Sequence, residues 1–275
     1  MSRVRALIYA AWFYPWTALH CIGLLWALPM PKPIFLAAIR YYLRSLSLME
    51  RLVLGITYRV EGEEQLPTGP FIVAPKHQSM WETMKLHLLF RDPAIILKRE
   101  LLRIPLWGWY ATKADLIPVD RGGRSRAIES IVAGARRMAA QGRPIVIYPQ
   151  GTRAPPGAWM PYKVGVFAIY EALKAPVVPL ALNSGIFWSK FNAVRAGGTI
   201  TLRYLEPIPP GLDRTTFMAT LESRLETESD RLVQSLGGPP TQKPAGARRL
   251  PPATLPTQAE SLQSTSAGVQ SPSEL

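Results

Sequence analysis

One short segment of the chain combines a base with a carboxylate, since His77 is followed five residues later by Glu82. On a continuous helix these side chains would point about 140° apart, so they meet only if His77 lies in a turn before a helix that begins near Ser79. A carboxylate bonded to one ring nitrogen fixes the tautomer and leaves the other nitrogen as a base for a hydroxyl group. The same spacing also fits a capping box, in which Glu82 returns to the backbone of Ser79. A catalytic pair and a helix cap are both open interpretations.

Two arginines follow apolar segments and stand beside glycines. Arg121 ends the run Leu116-Ile-Pro-Val-Asp-Arg and is followed by two glycines, and Arg153 ends Tyr148-Pro-Gln-Gly-Thr-Arg. A guanidinium group matches phosphate oxygens, and glycine lets a backbone approach a bulky anion. Arg121, Arg153 and the backbone around Gly151 are therefore candidate phosphate ligands. An ordinary surface turn is the alternative for each arginine.

These groups must be positioned by a sheet that alternates with helices. Apolar or alternating segments predict strands at 56–60, 71–74, 93–97, 144–148, 177–182 and 199–205. Helical spacing predicts helices at about 79–90, 128–139, 164–174 and 217–236. The alternation predicts an α/β fold, in which residues 55–236 form a single layered domain with a mostly parallel or mixed sheet flanked by helices. His77 and Arg153 then follow the strands at 71–74 and 144–148, and Arg121 follows the apolar run 116–119. The ends of strands are where the ligand sites of such folds gather.

The first 54 residues have a different character. Residues 6–31 contain no charged side chain and reach the ~20 apolar residues that a spanning helix needs. Residues 34–57 are apolar but carry Arg40 and Arg44 on one helix face, which is typical of a helix in the membrane interface with its arginines toward lipid headgroups. Residues 1–54 are therefore predicted to be a helical membrane anchor, either transmembrane or monotopic. A helical hairpin packed inside a globular protein is the remaining alternative.

Composition narrows the class of partner. The 275 residues include 32 Lys and Arg against 19 Asp and Glu, a net charge of +13, which favours a polyanionic partner such as nucleic acid, an anionic membrane or phosphorylated substrates. No nucleic-acid-binding module is recognisable, so nucleic acid is not expected. The single cysteine, Cys21, excludes an intramolecular disulfide, and only three histidines argue against a metal site. Residues 237–275 are rich in Pro, Ser, Thr and Gln and are predicted to be a disordered tail.

Taken together, the motifs resemble the glycerolipid acyltransferase family, of the 1-acyl-sn-glycerol-3-phosphate acyltransferase type, over about residues 55–210. The family's His-x4-Asp matches His77 and Glu82, and its Phe-Pro-Glu-Gly-Thr-Arg matches residues 148–153. Its other two motifs match Lys98, Pro105, Gly108 and 117–121, and the Val-Pro pair at 178–179. Glu82 keeps the carboxylate of the family Asp. Gln150 replaces a family Glu, which removes a negative charge and leaves the exact acceptor open.

The resemblance implies direct acyl transfer without a cofactor or a metal, from acyl-CoA or acyl carrier protein to the free sn-2 hydroxyl of a lysophospholipid. His77 would be the base and Glu82 would orient it. The implied phosphate ligands are Lys98, Arg121, Gly151, Thr152 and Arg153. Contact with membrane lipids, a bacterial inner-membrane location and an active site that faces the cytoplasm are also implied. The alternatives are another lysolipid acceptor, such as a lyso-ornithine lipid, and a non-catalytic lipid-binding membrane protein.

Overall fold

A computed structural model describes residues 2–120, 124–189, 194–195 and 197–245. Two helices come first, α1 (Ser2–Gly23) and α2 (Lys32–Met49). The elements that follow are β1 (Ile56–Glu61), β2 (Ile72–Pro75), α3 (Trp81–Leu89), β3 (Ala94–Lys98), α4 (Trp107–Lys113), β4 (Ile117–Val119), α5 (Arg124–Ala139), β5 (Ile145–Val146), α6 (Gly165–Leu173), β6 (Val177–Leu182), α7 (Ser184–Phe187), β7 (Gly198–Tyr204) and α8 (Arg214–Gln234). The α/β class predicted from hydrophobic periodicity is confirmed.

The seven strands form one mixed sheet in the order β1-β7-β6-β2-β5-β3-β4. All neighbouring strands are parallel except β6 and β7, which pair antiparallel, so β1 and β7 run against the other five. The carboxyl ends of β2, β3, β4, β5 and β6 therefore lie along one edge of the sheet. Strand β2 is the fourth of the seven strands, with β6 on one side and β5 on the other.

Apolar side chains cover both faces of the sheet. Ile72 and Val73 are successive residues of β2 and are fully buried in two different clusters, as the pleat of a strand requires. The cluster around Val73 includes Tyr9 of α1 and Trp81 of α3. The cluster around Ile72 includes Phe217 of α8 and side chains of α5 and α6. Burial on both faces explains why the central strands are continuous apolar runs.

The N-terminal helices are packed onto the domain through aromatic and charged side chains. Tyr9 and Phe13 of α1 contact the ring of Trp188 edge-on. After α2 a π-helical turn, Glu50–Leu54, buries Glu50, whose Oε2 accepts hydrogen bonds from Lys85 Nζ at 2.8 Å and from Trp81 Nε1 at 3.0 Å. Lys85 and Trp81 both belong to α3, so the N-terminal segment is tied to that helix by a buried ion pair.

The predicted membrane anchor, residues 1–54, includes helices α1 and α2. In the residues that the structure describes, no helix has the length and apolar character to cross a bilayer. Arg40 donates from Nη1 to the backbone oxygen of Arg91 at 2.7 Å, and Arg44 is exposed. The orientation of these two arginines toward lipid headgroups stays a prediction.

The first part of the predicted tail, residues 237–245, contacts the domain. Thr241 Oγ1 donates to Asp230 of α8 at 2.7 Å, and Lys243 Nζ donates to Glu222 of the same helix at 2.6 Å. The ammonium of Lys243 also lies 4.9 Å from the centre of a Trp159 ring. Residues 237–245 therefore contact the domain surface, and residues 246–275 lie outside the described residues.

We expect His87 on α3 to make folding stability sensitive to acid. Burial lowers the pKa of His87 from 6.5 to about 4, so the folded protein keeps this ring neutral. Between these two pH values the unfolded chain binds a proton that the folded chain does not, so stability falls as the pH falls, by about 3 kcal/mol over the whole interval. Urea unfolding of the wild type and of His87→Leu between pH 4 and 7 measures this. Parallel pH profiles for the two proteins would contradict the assignment.

Candidate active site

His77 lies in the turn between β2 and α3, at the central position of the sheet edge. Strand β2 ends at Pro75 and α3 begins at Trp81, so the ring is outside the helix, as the spacing argument requires. His77 Nδ1 lies 2.8 Å from Glu82 Oε1. The side chain of His77 is 16% exposed, and that of Glu82 is 2% exposed. The structure therefore brings together the base and the carboxylate that the sequence placed five residues apart.

The carboxylate of Glu82 is held by both of its oxygens. Oε1 also accepts from the backbone N–H groups of Gln78 and Ser79, each at 2.8 Å. Oε2 accepts from the hydroxyls of Ser79 at 2.6 Å and of Ser184 at 2.7 Å. The cap of the helix and the partner of the histidine are thus the same carboxylate, so the two interpretations of this motif hold together.

These contacts keep Glu82 ionised although it is buried. Burial by itself would raise the pKa of Glu82, but the hydrogen bond and charge of His77 and the two serine hydroxyls outweigh it and lower the pKa below its ordinary value. An ionised carboxylate can only accept, so Nδ1 of His77 carries the proton of this bond. A neutral imidazole then has its lone pair on Nε2, which is the atom that can take a proton from a hydroxyl group.

A tyrosine that the sequence did not single out fixes the plane of the histidine ring. The ring of Tyr148 stacks on His77 with centres 4.1 Å apart and planes 28° apart. The backbone N–H of Ala154 donates to the carbonyl oxygen of His77 at 2.7 Å. Burial raises the pKa of Tyr148 well above its ordinary value, so its hydroxyl stays protonated. The segment 148–154 is therefore packed directly against the histidine.

In the turn that carries Arg153, the backbone N–H of Gly151, a candidate phosphate donor, is already hydrogen-bonded within the turn. Gly151 has a φ of 64°, which only glycine adopts without strain, and its N–H donates to the carbonyl oxygen of Tyr148 at 2.9 Å. That N–H closes the turn, so Gly151 contributes the shape of the backbone and not its own donor. Thr152 and Arg153 are partly exposed at the same sheet edge as His77.

The second predicted motif lies farther along the edge. Lys98 is exposed at the end of β3, two strands away from β2, which is ~10 Å at ordinary strand spacing. Arg121 lies outside the described residues, and Asp120 before it is 3.9 Å from Arg99 Nη1. Gly108 has a structural reason to be glycine, because a Cβ there would lie 1.9 Å from the backbone oxygen of Leu102.

The fourth motif, a buried strand with a Val-Pro pair, is followed by Ser184. This residue begins α7 immediately after β6, beside β2, and its hydroxyl reaches Glu82 as described above. The N–H of the next residue, Gly185, donates to Gln78 Oε1 at 2.9 Å. The sequence Asn183-Ser-Gly185 at a strand end was a usable signal for this contact, because parallel neighbouring strands end together.

The candidate site is a histidine–carboxylate pair of a kind that can deprotonate a hydroxyl, next to a turn that contains an arginine. Residues 57–183 match the family model called Acyltransferase, and this range contains His77, Glu82 and the 148–153 turn. This match agrees with the resemblance that the motifs indicated.

Relatives in two organisms share the name 1-acyl-sn-glycerol-3-phosphate acyltransferase. The chain is 35% identical to the one from Pseudomonas aeruginosa over 152 residues, which is 55% of this chain and 59% of that protein. It is 29% identical to the one from Saccharomyces cerevisiae over 162 residues, 58% of this chain and 54% of that protein. The chain thus spans little more than half the length of these relatives.

A solved structure has a similar fold. The crystal structure of the 1-acyl-sn-glycerophosphate (LPA) acyltransferase PlsC from Thermotoga maritima superposes with a TM-score of 0.67. The match covers 83% of this chain and 97% of that chain, at 20% sequence identity. At this identity the likeness concerns the fold alone, including the mixed sheet flanked by helices.

Proposed function

We propose that the protein transfers a fatty acyl group from acyl-CoA or acyl carrier protein to the sn-2 hydroxyl of 1-acyl-glycerol-3-phosphate and so makes phosphatidic acid. The observation that carries the proposal is the 2.8 Å contact between His77 Nδ1 and an ionised, buried Glu82. It is supported by the match to the acyltransferase family model and by the names of the relatives.

The geometry supports direct transfer with one base. Nε2 of His77 takes the proton of the sn-2 hydroxyl while that oxygen attacks the thioester carbonyl carbon. The tetrahedral intermediate collapses by breaking the carbon–sulfur bond, and the leaving thiolate takes the proton back from the imidazolium. The carboxylate of Glu82 stabilises the imidazolium between these two steps, and the Tyr148 ring holds it in plane.

Arg153, with the 151–153 turn and Lys98, is proposed to hold the phosphate of the acceptor. Arg121, which lies outside the described residues, is the further candidate that the motifs imply. We expect Arg153→Ala to raise the KM for lysophosphatidic acid by about tenfold or more, since a charged hydrogen bond is worth ~1.5–3 kcal/mol. The KM for the acyl thioester should stay unchanged, because the thioester does not need this guanidinium. Steady-state kinetics with each substrate varied in turn measures the split. Equal changes in both KM values would remove Arg153 from the phosphate site.

The proposed function is tested by offering the detergent-solubilised protein several lysolipids together with acyl-CoA or acyl carrier protein thioesters. Formation of phosphatidic acid from lysophosphatidic acid supports the proposal. Transfer only to another acceptor, such as a lyso-ornithine lipid, would keep the mechanism and replace the substrate. No transfer from either thioester would favour a non-catalytic lipid-binding protein.

We also propose that the N-terminal helices lie in the interface of a membrane, at the inner membrane with the active site toward the cytoplasm. The support is a set of large apolar side chains that are more than 45% exposed. They are Val4, Leu7, Ile8, Tyr14, Leu19 and Ile22 of α1, Trp26, and Ile34, Tyr41 and Leu48 of α2. Such a surface is favoured at a lipid interface, where aromatic and aliphatic side chains leave water. Monotopic attachment suits these helices better than a span.

Flotation with vesicles containing anionic phospholipid tests the attachment. The protein should float with the vesicles at low and at high salt, because apolar contacts persist where electrostatic attraction is screened. A version with Leu7→Glu and Ile8→Glu should float less while keeping its unfolding midpoint. If the wild type stays with the unbound fraction at low salt, the proposed attachment is wrong.

A further inference from the structure

A partly buried carboxylate outside residues 57–183 contacts two segments of the candidate active site. Glu226 lies on α8, and its two oxygens accept hydrogen bonds from Lys76 Nζ at 2.6 and 2.7 Å. The side chain of Lys76 is only 2% exposed, and that of Glu226 is 14% exposed. An ammonium group with so little access to water needs a carboxylate partner, because an unpaired buried charge costs several kcal/mol.

The same carboxylate also binds the arginine turn. Glu226 Oε1 accepts from Gln150 Nε2 at 3.3 Å and from the Tyr162 hydroxyl at 2.8 Å. Gln150 is fully buried, so its amide does not face a substrate headgroup. The family motif has a glutamate at this position, and here the negative charge stands on α8 instead.

The charges of Lys76, Gln150 and Glu226 balance in the observed arrangement. There is one ammonium, on Lys76, and one carboxylate, on Glu226, while residue 150 is neutral. A glutamate at position 150 would place a second carboxylate about 3.3 Å from the first, in a site with little water, and like charges at that distance repel strongly. The amide at 150 and the acid at 226 are therefore matched to each other.

The two residues that Glu226 holds stand next to functional groups. Lys76 directly precedes His77, and Gln150 lies between Tyr148, which stacks on that histidine, and Arg153. We propose that Glu226 is a positioning residue of the active site: through Lys76 and Gln150 it fixes the spacing between the base and the arginine turn. This inference rests on the proposed function, since it concerns the alignment of acceptor hydroxyl and acceptor phosphate.

Exchanging the charges between the two positions tests the proposal. We compare the wild type with Gln150→Glu, Glu226→Gln and the double variant, using acceptor KM, donor KM, kcat and the urea unfolding midpoint. Each single variant should lose at least about tenfold in kcat/KM for lysophosphatidic acid, since small displacements of reacting groups have effects of this size. The double variant, with one carboxylate again beside Lys76, should recover to within about threefold of the wild type because the two sites are coupled.

Two further variants separate positioning from folding. Lys76→Met/Glu226→Gln removes both charges of the buried pair, a change that is often neutral in stability. It should keep the wild-type unfolding midpoint but show a raised KM for the acceptor and an unchanged KM for the donor. Glu222→Gln, one helical turn before Glu226, removes a carboxylate that binds Trp159 and Lys243, and it should keep kcat/KM within about twofold.

The outcomes are distinct. Recovery in the double variant together with a selective change in acceptor KM for the uncharged pair supports the positioning role. Single variants that keep full kcat/KM, or a double variant no better than the worse single one, overturn it. If the wild type itself transfers nothing, the proposed function fails, and the unfolding midpoints decide the pairing alone: a double variant no more stable than the worse single variant overturns it.

Discussion

Replacing His77 with alanine is expected to lower kcat for acyl transfer by about 10²- to 10⁴-fold, the usual contribution of a positioned general base. The hydroxyl of the acceptor would then have to lose its proton to water, with no group held beside it. The KM for lysophosphatidic acid should change little, because in the proposed mechanism the arginine turn, and not the imidazole, binds the phosphate. Initial rates at saturating acyl thioester measure both constants.

The His77 variant should remain folded, since the ring is partly exposed and its removal leaves the Glu82 carboxylate with four other donors. His20→Ala is a matched control, because that histidine lies on α1 against Trp16 and Tyr42. It should keep kcat within about twofold of the wild type, as expected for a residue remote from the chemistry. A His77→Ala protein that retains a tenth of the wild-type kcat would exclude His77 as the base.

Replacing Glu82 with alanine should damage both folding and activity. Five donors converge on this carboxylate, and a buried donor without an acceptor costs ~1–3 kcal/mol, so the free energy of unfolding should fall by about 3 kcal/mol or more. The remaining folded protein should be as inactive as the His77 variant, because the imidazole loses the partner that sets its tautomer. Urea unfolding and specific activity of the folded fraction measure the two effects.

Two conservative changes at the same position separate charge from shape. Glu82→Asp keeps the negative charge but shortens the reach by one methylene, so it should retain part of the rate. Glu82→Gln keeps the shape but points an amide nitrogen at groups that are themselves donors, so its rate should fall further than that of the aspartate variant. If the glutamine variant were the more active of the two, the carboxylate charge would not be what the base requires.

The local hydrophobic pattern of the sequence was sufficient to predict the central strands of the sheet. Strand β6 was predicted at its observed bounds, because a strand buried on both faces is an uninterrupted apolar run. Helix α4 was not predicted, since it is short and begins after Leu106, which has a φ of 62°, within a segment rich in Pro, Gly and Trp. The antiparallel pairing of β6 and β7 was not predicted either, because strand direction depends on the path of the chain between strands.

The candidate site likewise contains one contact that could be predicted from sequence and several that could not. His77 and Glu82 could be paired from sequence because their contact is local, across one turn. Tyr148, Ser184 and Glu226 reach the site from distant parts of the chain, and which of many polar or aromatic side chains do so depends on strand order. The strand order places β5 and β6 on either side of β2, and no single sequence motif specifies that order.

The buried pair between Glu50 and Lys85 limits how the protein can be shortened. Deleting the apolar N-terminal helices up to residue 54 is an obvious way to improve expression, but it would remove Glu50. Lys85 is 1% exposed and would lose its only carboxylate within 4 Å among the described residues. Lys85 lies one helical turn after Glu82 on α3, so the truncated protein would carry an uncompensated cation in the helix that orients the base. Replacing Lys85 with methionine in the shortened protein is the corresponding repair.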